Sequence, residues 1–430
     1  MKRTRILRAA VLGLFFPALT VTAQVVPLTL EECYSLAQEH YPLTKQRELI
    51  SRSMEYSVQN VSKGYLPQLN INGQAGYQSD VTQIPVQLPG MDIPVISKDQ
   101  YRLYGEVMQT LYDGGQIRRR KQAEAANAMV DMQQLEVELY QLKERINQLF
   151  FGILLLDEQI RQQDLLLNDL RTGISTARAS VAYGTALKSS VDMLEAELLN
   201  AGQRTTGLQA MRQAYAEMLS LFTGRPADSL LPPEKPATAA LPEEINRPEL
   251  LWYAYRSRRL EVEDKLLVTK NMPRLSLFLQ GGYGRPALNM LSNDFEAYYL
   301  GGVRLNVPLT GLYTLKKERA LIGLQQGSIA AQRETFLFRT RLTLRQQNAE
   351  IGKLQALLAT DDAIIALRTE VKKAATAQLE NGVIHAGDYL REVIAEANAR
   401  QNRTLHEIQL LMAQYDQQTT TGNPPKTIQE

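Results

Sequence analysis

His40, His385 and His406 are the only histidines of this chain and Cys33 is its only cysteine, so these four carry most of its potential for metal ligation or nucleophilic attack. No histidine stands with a second ligand at i+3 or i+4 on a face that suggests a site, and ordinary surface or packing roles are expected for all three. Cys33 has no partner for an internal disulfide, and its context, Leu30-Glu31-Glu32-Cys33, is not that of a lipidation site; a partly buried structural thiol is expected. Gly281-Gly282-Tyr283-Gly284 closes an extended run instead of opening a helix, which excludes a phosphate loop. No Ser-His-Asp arrangement, zinc spacing or dinucleotide fingerprint is present, so neither enzyme activity nor a cofactor is expected. What remains is charge. Arg118, Arg119, Arg120 and Lys121 are matched by Lys316, Lys317 and Arg319 at the starts of two long helical runs, where a solvated face and an interfacial role at lipid head groups are both open.

The elements that must position these residues occur twice. Tyr65-Leu66-Pro67 through Gly76-Tyr77 returns as Met272-Pro273-Arg274 through Gly282-Tyr283, and Pro67 to Pro273 and Tyr77 to Tyr283 are both separated by 206 positions. An internal repeat of this length sets architecture before any local motif does. In the first copy (24–223), Pro42 should break the opening helix. Leu69, Ile71, Ala75 and Tyr77 then alternate with Asn70, Asn72, Gln74 and Gln78, the pattern of a half-apolar strand. Strands are expected at about 66–78 and 101–112, with a proline-rich loop between them, a long helix at about 116–182 and a return helix at about 189–222. Leu135, Leu139, Leu142, Ile146, Leu149, Ile153, Leu156 and Ile160 step by alternating fours and threes, a heptad seam. Residues 224–248 hold six prolines and read as a linker. The second copy (249–422) should place strands at about 273–283 and 297–307, a long helix at about 313–381 and a return helix at about 388–416, before a tail at 423–430.

Lys2, Arg3, Arg5 and Arg8 precede an apolar run, Ala9 to Leu19, and Val21-Thr22-Ala23 supplies small residues, so 1–23 is expected to be an export signal. That run is shorter than the roughly 20 residues a spanning helix needs, and no later stretch approaches that length. Without those four cations the balance is 44 basic against 46 acidic residues, which gives no argument for nucleic acid. Strands of about ten residues suit a tilted membrane strand, yet the smallest membrane barrels have about 8 strands. Lipid cannot satisfy an open strand edge, so several chains must share one sheet. The long heptad stripes need covering by neighbouring helices for the same reason.

At this point the chain resembles the TolC-like outer membrane factor family over about Leu28 to Gly422. Leu30 through Pro42 is similar to that family's opening helix, and Asn246-Arg247-Pro248-Glu249-Leu250 to its second-repeat start. Gln109-Thr110-Leu111-Tyr112-Asp113-Gly114-Gly115 resembles its strand-to-helix crossing, with Val307-Pro308-Leu309-Thr310-Gly311 as the second copy. The resemblance implies an α+β membrane protein: a homotrimer whose shared 12-stranded outer-membrane β-barrel is continued by a periplasmic α-helical barrel. It implies an exit duct for drugs, metal ions or polypeptides, partnered by a periplasmic adaptor, an inner-membrane pump of RND or ABC type, and outer-membrane lipid. A non-conducting trimeric coiled-coil scaffold or adhesin is the alternative reading.

The resemblance also implies sites. The periplasmic gate falls on Asp388, with Arg391 where a second acid would stand, and with Glu392 and Asp192 nearby; three Arg391 side chains would offset much of the field of three Asp388 carboxylates. Leu379, Ile384 and Ser190 occupy the positions of the family's tyrosine, arginine and aspartate lock, which is therefore missing. Adaptor docking is assigned to the turns Tyr183, Gly184, Thr185, Ala186, Leu187, Lys188 and Asn381, Gly382, Val383, Ile384, His385, Ala386, Gly387. Leu69, Ile71, Leu277 and Val303 are expected to face lipid.

Overall fold

The computed structural model describes residues 28–82, 96–227, 234–237 and 244–423. The expected export signal, the terminal tail beyond Asn423, the proline-rich loop 83–95 and Pro232, Pro233 and Pro242 of the linker lie outside the described residues. Helix α1 (Leu30–His40) starts at a capping box in which Thr29 and Glu32 exchange side-chain-to-backbone bonds of 3.2 Å. It stops just before Pro42, which opens a 3-10 turn leading into α2 (Gln46–Ser62). Strands β1 (Gln68–Tyr77) and β2 (Asp99–Tyr112) follow, then α3 (Gln116–Ala182) and α4 (Lys188–Thr223). The second half repeats the order with α5 (Pro248–Thr269), β3 (Arg274–Arg285), β4 (Glu296–Asn306), α6 (Leu312–Glu380) and α7 (Ala386–Thr421). Helices α4 and α7 both have 36 residues, and α3 and α6 have 67 and 69, so each long helix rises about 100 Å. No described helix is long and apolar enough to cross a membrane, which says nothing about a β-barrel.

The four strands form one antiparallel sheet in the order β1-β2-β3-β4, so the two repeats meet at β2 and β3. Gln68 pairs with Met108 and Tyr77 with Asp99, which puts both hairpin connections at one end of the sheet and every helix junction at the other. The β2-to-α3 crossing is a tight turn. Gly114 has φ +68°, and a Cβ there would stand 2.3 Å from the Met272 Cβ, so only glycine fits.

Helix α3 lies at the centre of the helical layer, against α4, α5, α7 and α2. Its heptad residues Leu135, Leu139, Ile146, Leu149, Ile153 and Leu156 are buried. One core gathers Leu30, Cys33 and Ala37 against Phe150 and Phe151 of α3, Leu219 of α4, and Ile408, Leu411 and Tyr415 of α7. Cys33 is fully buried there, and burial pushes its thiol up to about 12. Beside this core Asn147 donates to Asp416 at 2.9 Å, and burial pushes the Asp416 carboxyl up to about 6. Helix α6 is different: it packs on α5 and α7, the second-repeat equivalents of α2 and α4, but among the described residues it has no second flanking pair such as α3 finds in α5 and α7. Leu321, Leu324, Phe338, Leu342, Ile364, Leu367 and Val371 of α6 are accordingly exposed.

Candidate functional site

Residues directly opposite one another in an antiparallel sheet share a face, so the register sorts the side chains. Leu69 stands opposite Val107, and Val107 opposite Leu279; Ile71 stands opposite Gly105, and Leu277 opposite Val303. Leu69, Ile71, Leu277 and Val303 thus lie on one face together with Leu103, Leu305 and Tyr77, Tyr101, Tyr283 and Tyr299. The other face carries Asn70, Asn72, Gln74, Arg102, Glu106, Gln280 and Arg304, and Glu106 accepts bonds of 3.2 Å from both Gln280 and Arg304. Among the strand tyrosines, Tyr104 and Tyr298 fall on the polar face, so the aromatic set on the apolar side is smaller than their clustering in sequence suggests.

At the far ends of the long helices two turns share one geometry. Thr185 and Val383 donate their amides to Ser180 and Gln378 at 2.9 and 2.8 Å, while Gly184 and Gly382 donate to Val181 and Leu379, both at 3.0 Å. These are Schellman ends, which require the left-handed conformation of Gly184 and Gly382 (φ +73° and +70°). Tyr183, Thr185, Leu187, Lys188, Asn381, Val383 and His385 are exposed; Ala186, Ile384 and Gly387 are partly covered, and Ala386 is buried. Lys188, Ala386 and Gly387 belong to the return helices, which begin one or two residues earlier than the sequence suggests because extended Leu187 and His385 serve as N-caps.

Asp388 is therefore the third residue of α7 and does not cap it. Its carboxylate accepts a 3.1 Å bond from Arg391 on the same helix, and Arg391 also approaches Glu392 at 3.4 Å. Glu392 reaches Arg368 of α6 at 3.4 Å, whereas exposed Asp192 forms no ion pair among the described residues. None of these three contacts ties one helix pair to the other. Leu379 and Ile384 pack into the second core with Leu170, Ile174, Val191, Leu194 and Val393.

Next to that core the pairs are also joined by a partly buried ionic cluster that the sequence reading missed. Lys372 of α6 donates to Asp169 of α3 and to Glu396 of α7, both at 2.9 Å. Arg400 and Thr369 also bond Glu396, at 2.6 and 3.1 Å, and the Glu396 side chain is only 4% exposed. Burial opposes both charges, but the Arg400 and Lys372 partners hold the Glu396 carboxyl below its usual value, and Asp169 and Glu396 raise Lys372. Tyr389 adds a hydroxyl bond of 3.1 Å to the Asp169 carbonyl, with its ring seated on Gly173. Of these contacts only the i, i+4 spacing of Glu396 and Arg400 was visible in sequence. Elsewhere His406 bonds Asp361 at 2.7 Å, His40 bonds the Leu36 carbonyl at 3.0 Å, and His385 is exposed.

A sheet with one apolar face, two very long helices leaving the same edge and paired turns at their ends together define the protomer fold of the TolC-like outer membrane factor channels. The outer-membrane channel OprN superposes with a TM-score of 0.68 at 14% identity, covering 92% of this chain and 90% of that one. The outer membrane protein VceC from Vibrio cholerae gives 0.67 at 13% identity, with 92% and 96% covered. The open state of the Neisseria gonorrhoeae MtrE outer membrane channel gives 0.63 at 15%, with 92% and 89% covered. No protein-family model matches the sequence, and no curated protein matches it.

Proposed function

We propose that this protein is an outer-membrane exit duct: a homotrimer whose three sheets close a 12-stranded barrel and whose helices continue it through the periplasm as a second barrel. The carrying observation is incompleteness in two places at once. Strands β1 and β4 each leave one edge unpaired in a sheet with a lipid-like face, and α6 lacks flanking helices on the side away from α5 and α7. Both gaps close if the next copy supplies β1 against β4, and α2 with α4 against α6. Closure of the sheet satisfies the edge amides that hydrocarbon cannot. The likeness to solved channels supports the same arrangement. The duct conducts passively, taking substrate from an inner-membrane pump of RND or ABC type through a periplasmic adaptor seated on the two Schellman turns, in efflux or type I secretion.

The test is mass and conductance. The mature chain, extracted in detergent, should run as a trimer and open discrete channels in planar bilayers. A soluble, non-conducting oligomer would instead favour the scaffold. Within an open channel, Asp388→Ala leaves Arg391 without its 3.1 Å partner, so the ring at the mouth gains positive charge and the reversal potential should move toward anion preference. An unchanged reversal potential removes Asp388 from the conduction path.

A further inference from the structure

The junction between sheet and helices is built differently in the two repeats, and the difference leaves Lys63 and Arg120 of the first without an ion pair among the described residues. Lys63 is the C-cap of α2 and Lys270 the C-cap of α5; Arg120 is the fifth residue of α3 and Lys316 the fifth of α6. In the second repeat two of the junction cations are paired, while Lys316 and Lys317 form no ion pair among the described residues. Lys270 pairs with Glu318 at 3.1 Å, and Arg319 pairs with Asp264 at 2.7 Å. The positions that match Glu318 and Asp264 in the first repeat are Gln122 and Ser57, neither of them an acid.

Around the unpaired charges of the first repeat lies a cavity of about 440 Å³, lined by Asn60, Val61, Lys63, Gly64, Gln68, Gln116, Ile117 and Arg120. No carboxylate lines it. Asp113 is close in sequence, but its two oxygens accept the amides of Gly115 and Ile117 at 2.8 and 2.6 Å. Glu124, one turn along α3, lines a separate hollow, and neither Lys63 nor Arg120 forms an ion pair among the described residues. The cavity is large enough for a small polar ligand. Exposed Tyr65, Leu66 and Leu69 are chain neighbours of its lining residues Gly64 and Gln68, with Leu69 on the apolar face of the sheet and Gln68 on the polar one.

We propose that this cavity binds the phosphate of an anionic phospholipid in the periplasmic leaflet of the outer membrane. Lys63 and Arg120 provide the charge, Asn60 and Gln116 provide amide donors, Gln68 being held by the Lys63 and Leu66 carbonyls, and the acyl chains lie along the Leu66–Leu69 end of the sheet. The apolar neighbours select a lipid over free phosphate, because a soluble anion gains nothing from them. The proposal rests on the duct reading, which sets this junction at the bilayer boundary. It assigns the first repeat alone as the lipid site.

The experiment is lipid retention by the detergent-purified trimer, read by native mass spectrometry with dioleoyl-phosphatidylglycerol against dioleoyl-phosphatidylcholine. The wild type should retain phosphatidylglycerol preferentially. Lys63→Gln with Arg120→Gln should weaken that retention about thirtyfold, from about fivefold per cation near an anionic lipid surface. Lys270→Gln with Lys316→Gln should leave it unchanged, and the charge-preserving Lys63→Arg with Arg120→Lys should keep most of it, which separates loss of the site from loss of fold. Equal retention in the two glutamine pairs overturns the proposal. Displacement of phosphatidylglycerol by millimolar inorganic phosphate would overturn it too, since the apolar contacts would then contribute nothing. Conductance is recorded on the same preparations: a conducting trimer without headgroup preference loses only the lipid site, whereas a wild type that neither trimerises nor conducts loses the duct reading along with it.

Discussion

Ile71→Arg should abolish membrane assembly, while Asn72→Arg, one residue away, should be tolerated. Ile71 is 85% exposed in the protomer and sits near the middle of β1, on the face shared with Leu69, Leu103, Val107, Leu277, Leu279 and Val303. An arginine on the lipid side of a membrane barrel costs about 2–4 kcal/mol at the midplane, and the three copies of the proposed trimer would raise that to about 6–12 kcal/mol. That is comparable with the whole stability of an ordinary domain. Asn72 faces the opposite side, opposite Tyr104, where an added cation meets polar neighbours. The readout is the yield of heat-resistant trimer in the outer-membrane fraction. Equal yields from the two variants would mean that the apolar face does not meet hydrocarbon.

Lys372→Met should destabilise the helical half by about 3 kcal/mol, because it strands the buried Glu396 carboxylate with one fewer partner and releases Asp169. The neighbouring change Lys373→Met is the control, since its pair with Glu370 is 65% and 72% exposed and should be worth under about 1 kcal/mol. Thermal unfolding of the purified protein followed by helical circular dichroism reads both. The cluster lies about 15 Å up α7 from the turn, ten residues beyond Ala386. Because it links α3 to α6 and α7, separating the helix pairs requires breaking it, and Lys372→Met should also raise the conductance of a closed channel. Two equally stable, equally conducting variants would reduce the cluster to decoration. The pH dependence has a definite sign. The lowered Glu396 contributes fully above the ordinary glutamate value of 4.5 and is lost as acid protonates it; the raised Lys372 contributes fully below 10.5 and is lost in strong base. The cluster is therefore whole at neutral pH.

Strands and helices were legible because their signals are local: a period of two around Leu69 and Ile71, and a step of 4 and 3 from Leu135 to Ile160. The breaks at Pro42, Gly184 and Gly382 were equally local, being set by a missing amide or a left-handed backbone. Charged side chains follow no such rule. The resemblance assigns a gate to Asp388, Arg391 and Glu392, and in the protomer their ion pairs run within α7 and to Arg368 of α6. Lys372 looks like one more surface lysine beside Lys373, yet it bridges to a carboxylate 203 residues away.

The sequence alone determined that the chain is duplicated, that each copy feeds two half-apolar strands into a very long heptad helix, and that four such strands are too few to close a barrel by themselves. Those properties follow from side-chain periodicity and strand number. Only the tertiary structure decided which faces the strands share across the β2–β3 seam, that α3 is enclosed while α6 keeps an open flank, and that Lys270 and Arg319 are paired in the second repeat while Lys63 and Arg120 of the first are not. Burial and ion pairing depend on which distant segments come within a few ångströms, and no local period encodes that distance.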